Sequence, residues 1–228
     1  MLTGLRIVVS AGPTFEDIDP VRFLGNRSSG KMGFAIAAAA VHRGAQVVLV
    51  AGPVTLPTPP ALQRIDVRSA EQMHAAVIAA LPADIYVGAA AVADFTPARV
   101  AEGKIKKQAD GNAGLTLQLV RTRDILAEVA GHPQRPRLVV GFAAETDNVE
   151  GYARGKLERK KLDLICANRV GLAGSGFESD DNELAVYGAG FERTLEPAPK
   201  AELAEALLDV IGERLAALPG HSTDTDRT

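Results

Sequence analysis

The stretch Gly25-Asn26-Arg27-Ser28-Ser29-Gly30-Lys31-Met32-Gly33 combines residue types that hold anions. It nearly matches the phosphate-binding pattern G-x-x-x-x-G-K-[ST]. Met32 stands where the magnesium-binding hydroxyl belongs, and the stretch begins about 15 residues after the first strand-like run instead of directly after it. A P-loop NTPase is therefore excluded. Glycines and small polar residues still lead into an Ala-rich helix at Lys31, and the free N–H groups and dipole at a helix start suit an anion. The plainer alternative is an ordinary N-cap. Upstream, Ser10-Ala11-Gly12-Pro13-Thr14 closes a strand without the G-x-G-x-x-G of a dinucleotide fold, which counts against NAD. Asp19-Pro20-Val21-Arg22 brings a cation close to Asn26.

Small residues dominate Gly88-Ala89-Ala90-Ala91-Val92-Ala93-Asp94. They let a flat ligand approach the backbone, and the terminal acid suits a hydroxyl, a ring amino group or a metal. Close helix-to-sheet packing with Asp94 as the next helix cap is an equal reading. Lys104-Ile105-Lys106-Lys107 lies between Gly103 and Gly111. Exposed lysines usually only solvate a surface, yet a basic cluster on a glycine-flanked loop can fold over phosphates and neutralise developing charge. Gly141-Phe142-Ala143-Ala144-Glu145-Thr146 offers a phenylalanine at a strand end, able to stack on a base. Lys156 and Lys160 follow, on one face of a helix. The plainer alternative is a strand-end core phenylalanine and a helix surface salt-bridged through Glu158 and Arg159. The single cysteine, Cys166, reads as a buried strand residue. His42, His74, His132 and His221 show no metal-ligand spacing, and no Ser-His-Asp or Cys-His arrangement is suggested.

These stretches need elements to hold them. Strand-like runs at Leu5–Ser10, Gln46–Val50, Arg64–Val67, Asp84–Gly88, Leu115–Val120, Arg137–Phe142 and Leu162–Cys166 alternate with helical patterns. The helices are Lys31–Arg43, stopped by Gly44, one opened by a Ser69/Gln72 capping box, a short one at Asp124–Ala130, and Asp147–Lys161. Glu183–Tyr187 and Thr194–Leu195 read as late edge strands. Lys200–Ala217 reads as an amphipathic helix burying Leu203, Leu207, Val210, Ile211 and Leu215. Alternation of this kind predicts a mostly parallel sheet covered on both faces. The weakest signals, Ala93–Gly114 and Asn168–Asn182, are candidate functional loops. The tail 220–228 lacks apolar residues and is expected to be disordered.

With 228 residues, 46% of them hydrophobic, the chain can bury one sizeable core. Its 25 basic and 28 acidic residues leave a net charge of −3, which argues against a general nucleic-acid binder. No run reaches the ~20 apolar residues of a membrane span. The start of the chain has no signal-like segment, so a cytoplasmic protein is expected.

Taken together, these segments resemble the phosphopantothenate–cysteine ligase family of bacterial coenzyme A biosynthesis. The resemblance rests on Ala11-Gly-Pro-Thr, Asp19-Pro-Val-Arg, Asn26-Arg-Ser-Ser-Gly-Lys-Met-Gly, Gly52-Pro-Val, Ala90-Ala-Val-Ala-Asp and Lys104-Ile-Lys-Lys. It continues through Asp124-Ile-Leu, Gly141-Phe-Ala-Ala-Glu-Thr, Ala153-Arg-Gly-Lys-Leu and Ser179-Asp-Asp-Asn-Glu, in the family's order, over roughly Leu5 to Leu215. It implies an α/β, Rossmann-like ligase domain over 1–219, with a mostly parallel sheet, helices on both faces and a flexible lysine-rich flap loop. It also implies CTP and Mg²⁺, 4′-phosphopantothenate and L-cysteine as substrates, an acyl-cytidylate intermediate, and a homodimer. A flavin-dependent decarboxylase domain is commonly joined to this ligase. There is no room for it here, so no flavin is expected, and Met1 marks either an excised domain or a separate ligase.

By this resemblance Asn26 holds the acyl-cytidylate, Lys104 stabilises charge at the α-phosphate, and Arg22 serves the second half-reaction. Gly88, Ala89, Ala90, Asp94, Lys104, Arg123, Asp124, Ile125, Leu126, Phe142, Lys156 and Lys160 match nucleotide-binding positions. Asn26, Gly30 and Lys31 are assigned to the phosphopantothenate side; the metal ligands are unassigned. Gly25, Arg123 and Arg169 stand where the family often has Ser, Pro and Asp. The rival readings are an NAD(P)-dependent reductase, disfavoured by the missing glycine fingerprint, and a non-catalytic nucleotide-binding assembly domain.

Overall fold

The computed structural model describes residues 2–106, 114–145, 147–169 and 181–218. Lys107 and Gly111 of the basic loop, Thr146, positions 170–180 and the tail from 219 lie outside the described residues. In chain order the elements are β1 (Arg6–Ala11), β2 (Phe15–Asp17), β3 (Phe23–Gly25), α1 (Lys31–His42), β4 (Gln46–Ala51), β5 (Gln63–Asp66), α2 (Ala70–Ala79), β6 (Ile85–Gly88), β7 (Phe95–Pro97) and β8 (Leu119–Arg121). They continue with α3 (Ile125–Ala130), β9 (Leu138–Glu145), α4 (Val149–Arg159), β10 (Leu164–Arg169), β11 (Asp181–Gly188), β12 (Phe191–Pro199) and α5 (Lys200–Ala216).

Among the described residues the main sheet has the order β12-β11-β10-β9-β6-β1-β4-β5. The six strands from β10 to β5 pair in parallel, whereas β11 and β12 are antiparallel additions. Parallel strands are buried on both faces, which is why β1, β4, β6 and β9 read as continuous apolar runs. Within β1 the faces alternate. Ile7, Val9 and Ala11 join α1 and α5 in one core, and Val8 joins α2, α3 and α4 in the other. All five apolar residues expected to face the core from α5 are buried. The Ser69 capping box is present: Gln72 N–H donates to Ser69 Oγ at 3.2 Å, and Ser69 N–H donates to Gln72 Oε1 at 3.3 Å. No helix among the described residues is long and apolar enough to cross a membrane.

The structure corrects the expected pattern in several places. The expected strand at Leu115–Val120 is realised only as β8, which leaves the main sheet to pair with β7. A second ladder, β2 with β3, was not signalled at all; three-residue strands are too short for alternation to register. β11 is internal and β12 forms the edge, because the two make a hairpin longer than their apolar residues suggest. Phe142 sits within β9, not at its end. Asp94 leads into β7 and caps no helix.

Helix α1 begins after Gly30, whose φ of 74° is the left-handed conformation that favours glycine. One turn on, Gly33 lets the helix approach β1: a Cβ there would lie 2.5 Å from the Ala11 Cβ. Gly33→Ala therefore pits a helix-propensity gain of up to ~1 kcal/mol against an overpacking cost of about 1–3 kcal/mol. The net expectation is a lower urea midpoint with an unchanged denaturant slope. A midpoint at or above wild type would show that the α1–β1 contact can relax freely.

Candidate functional site

β1 and β6 are neighbours at the centre of the sheet, yet their connections leave in opposite directions, to β4 on one side and toward β9 on the other. Such a divergence opens a crevice beyond the carboxyl ends of the strands. Two adjoining cavities occupy it. The first, of about 410 Å³, lies between the Asn26–Gly33 loop, the Ala89–Asp94 segment and the end of β9, with Lys156, Asn168, Asn182 and Lys200 on its walls. The second, of about 440 Å³, has Ser10, Tyr86 and Gly88 at its base and is bounded by Arg121–Leu126, Lys156 and Lys160. Ala90, Val92, Asp94, Phe142 and Lys156 line both.

The partition between them is the chain leaving β6. Its polar backbone groups are held by side chains and strands from elsewhere. Ala91 bridges Pro13 in parallel, donates to the Gly12 carbonyl at 2.9 Å, and accepts from Thr14 N–H at 3.3 Å. Buried Thr14 accepts the Ala93 N–H at 2.9 Å through Oγ1, and Thr122 Oγ1 donates to the Ala93 carbonyl at 2.6 Å. Asn26 Nδ2 donates to the Ala91 and Val92 carbonyls at 3.4 and 3.2 Å. Two carbonyl acceptors dictate which end of the amide faces the backbone, so the Asn26 oxygen is the end left for a ligand. At the cavity base, Ser10 Oγ and Tyr86 Oη are 2.9 Å apart, and burial pushes the tyrosine up to about 12.

The cations are graded. Lys156 donates to the Phe142 carbonyl at 2.7 Å. Burial, and secondarily the neighbouring Lys160 charge, push its ammonium below the usual lysine range. Lys160 pairs with Asp124 at 2.8 Å, while Asp124 Oδ1 also caps α3 by accepting the Ala127 N–H at 3.1 Å. Arg123 borders the second cavity and lies 3.7 Å from Glu71. Among the described residues no group of three or more His, Cys, Asp or Glu side chains could hold a metal ion. Asp94 is the carboxylate that lines both cavities.

The structure thus brings together nearly all the residues singled out from sequence. Asn26, Gly30, Lys31 and Ala89 line the first cavity; Gly88, Arg123, Asp124, Ile125, Leu126 and Lys160 line the second; Ala90, Asp94, Phe142 and Lys156 line both. Arg22 and Lys104 line neither. Sequence reasoning missed Tyr86 at the base, Thr122 as a pin and Lys200 on the end wall; it singled out the Ser10–Thr14 stretch and the Asn168–Asn182 loop without giving Ser10, Thr14, Asn168 or Asn182 a role. The AGPT turn carried a signal for Thr14. Lys200 carried none, since the first residue of an amphipathic helix ordinarily faces water, whereas here it is 7% exposed.

Residues 2–215 match the family described as the DNA/pantothenate metabolism flavoprotein C-terminal domain. The chain is 52% identical over 214 residues to the coenzyme A biosynthesis bifunctional protein CoaBC of Escherichia coli strain K12, covering 93% of this chain and 53% of that protein. It is 50% identical over 216 residues to CoaBC of Vibrio cholerae serotype O1, covering 94% and 54%. The chain therefore spans about half the length of the curated relatives it matches. The crystal structure of the C-terminal domain of CoaBC superimposes with a TM-score of 0.78 at 39% identity, covering 93% of this chain and 96% of that one. A Cab2 mutant in complex with phosphopantothenate-cysteine shares the fold, with a TM-score of 0.72 at 17% identity, covering 92% and 86%. The chain belongs to the family of the DNA/pantothenate metabolism flavoprotein C-terminal domain, the family and fold of the CoaBC C-terminal domain.

Proposed function

We propose that this chain is a phosphopantothenate–cysteine ligase, joining 4′-phosphopantothenate and L-cysteine at the expense of CTP. The observation that carries the reading is the pair of adjoining cavities sharing Asp94, Phe142 and Lys156. One has the features of a site for an anionic acid substrate, the other those of a site for a nucleoside triphosphate. A carboxylate is a poor electrophile, so its oxygen must first become part of a leaving group. The carboxylate oxygen attacks the α-phosphorus of CTP and pyrophosphate departs. The cysteine amine then attacks the acyl carbon, losing a proton, and CMP departs.

The residues divide this work. The small residues Gly88–Ala90 admit the flat nucleoside to the backbone, with Phe142 beside the base or sugar. Lys156 and Lys160 face the triphosphate, the Asp124–Leu126 turn and Arg123 border it, and Asn26 turns its carbonyl toward the acyl-cytidylate. Gly30 and Lys31 begin α1 on the phosphopantothenate side. Mg²⁺ would supply charge neutralisation at the triphosphate, and Asp94, which lines both cavities, would be the protein carboxylate available to it.

Arg22 and Lys104 stand apart from the chain's own cavities, and the chain exposes Val21, Phe23, Phe95, Val100, Leu119 and Val120 around the two short ladders and their connections. Exposed apolar side chains of this size suit burial against a partner. The reading is a homodimer that covers these residues and carries Arg22 and Lys104 to the neighbouring subunit's site. A flavin-dependent decarboxylase is the further partner implied by the bifunctional relatives.

The deciding experiment incubates the purified chain with Mg²⁺, 4′-phosphopantothenate and either CTP or ATP, with and without cysteine. CTP-dependent pyrophosphate release, becoming sustained and yielding CMP when cysteine is added, is expected. No release with either nucleotide from a folded protein would overturn the reading. Asn26→Asp sets a carboxylate oxygen against the Ala91 and Val92 carbonyls. It should lower cysteine-dependent turnover about 10²-fold while CTP binding, measured by calorimetry, stays near wild type; undiminished turnover removes Asn26 from its role. Polyphosphate binding should return Lys156 toward its ordinary range, so binding takes up a proton. CTP affinity should then fall as pH rises through the depressed Lys156 value, and Lys156→Arg should flatten that dependence.

A further inference from the structure

Asp19 is 1% exposed, a position at which a carboxylate is costly unless its oxygens are fully used. They are. Oδ1 accepts the backbone N–H groups of Val21 and Arg22, both at 2.8 Å. Oδ2 accepts Arg22 Nε at 3.0 Å, Arg22 Nη2, and the Ile105 N–H at 3.1 Å. Arg22 Nη2 also donates to the Ile105 carbonyl at 2.9 Å. Both polar backbone groups of the residue after Lys104 are thereby tied to one ion pair, its carboxylate buried, from a distant part of the chain. Four residues earlier, Ala101 N–H donates to the Ile18 carbonyl at 3.0 Å. The Arg22 guanidinium holds the Asp19 carboxyl far below the usual range, against the opposing effect of burial. Arg22 Nη1 has no hydrogen bond among the described residues, and the side chain remains 41% exposed.

An ordinary turn needs only the Oδ1 bonds. The Oδ2 set does something else: it joins an exposed arginine to the base of the exposed lysine loop. We infer that Asp19 is a positioning residue for the ligase reaction, clamping the Ile105 peptide so that Arg22 and Lys104 are presented as one unit. This inference rests on the ligase reading. Arg22 and Lys104 serve different steps of that reaction, and a shared anchor keeps their separation constant when both enter one active site.

The test uses Asp19→Asn, Lys104→Gln and the double variant, with pyrophosphate release followed in the absence of cysteine. In Asp19→Asn an NH2 group must face either the Oδ2 donors or the two turn N–H groups, so one set is lost. Release should fall about 10²-fold, as for a misplaced catalytic group. The double variant should fall no further than the slower single variant, because Asp19 acts through Lys104. Amide hydrogen exchange at 101–106 should quicken in Asp19→Asn while β1, β4 and β6 stay protected. Arg22→Lys, which keeps the charge but removes the Nη2 bridge to Ile105, should quicken the same amides and covers the case in which Asp19→Asn does not fold. Multiplicative losses, or unchanged exchange at 101–106 in a folded variant, would overturn the inference. A wild-type chain that releases no pyrophosphate overturns the ligase reading and the catalytic role with it, while exchange still judges the clamp separately.

Discussion

Beyond β6 the chain leaves the sheet while still inside the protein, and its peptide groups need partners there. Ala91–Ala93 find them in Gly12, Thr14, Asn26 and Thr122. This single satisfied segment decides much else. It holds the crevice open at the point where the β1 and β6 connections diverge, and it separates the crevice into two cavities. It also orients Asn26, because the amide that satisfies two backbone carbonyls can present only its oxygen to a ligand. Thr122 in turn fixes the turn that leads to Arg123–Leu126, so the second cavity takes its wall from the same set of bonds.

Charge is arranged locally in a chain whose net charge is −3. Around the second cavity, Lys156 is tied to a backbone carbonyl and partly desolvated, while Lys160 is neutralised by Asp124. The site is thus poised for an anion without leaving two bare ammonium groups side by side. In the proposed reaction an entering polyphosphate would meet preorganised donors, and the Lys156 proton would be held more tightly once it arrived. This is how electrostatic stabilisation gains from a partly enclosed site.

The two short ladders outside the main sheet have a different task. β2–β3 stacks Phe15 on Phe23, with ring centroids 4.0 Å apart, and Arg68 lies over both rings. β7–β8 lifts Phe95, Leu119 and Val120 to the surface. The turn from β2 to β3 carries Asp19 and the connection from β7 to β8 carries Lys104, and the buried carboxylate joins the two. In the proposed dimer, packing and catalysis would be coupled here, since the same ladders that offer apolar surface flank Arg22 and Lys104.

The sequence by itself determined the parallel core. Its strands are continuous apolar runs, its helices have caps and glycine stops, and both features act over a few neighbouring residues. The Asn26–Gly33 stretch, the small-residue segment and the Lys156/Lys160 pair were legible as candidates for the same reason, since the residue types that mark them are local. Only the tertiary structure decided that these pieces share one crevice, because strand order depends on crossovers between residues far apart in sequence. It alone revealed β2, β3 and β7, whose strands are too short to show alternation, and it moved Lys200 from an expected surface to a cavity wall. It also set Arg22 and Lys104 outside the cavities and joined them through Asp19, a contact between residues more than eighty positions apart. Spacing along the chain cannot report such a contact, because the burial that makes the carboxylate so demanding exists only once the chain has folded.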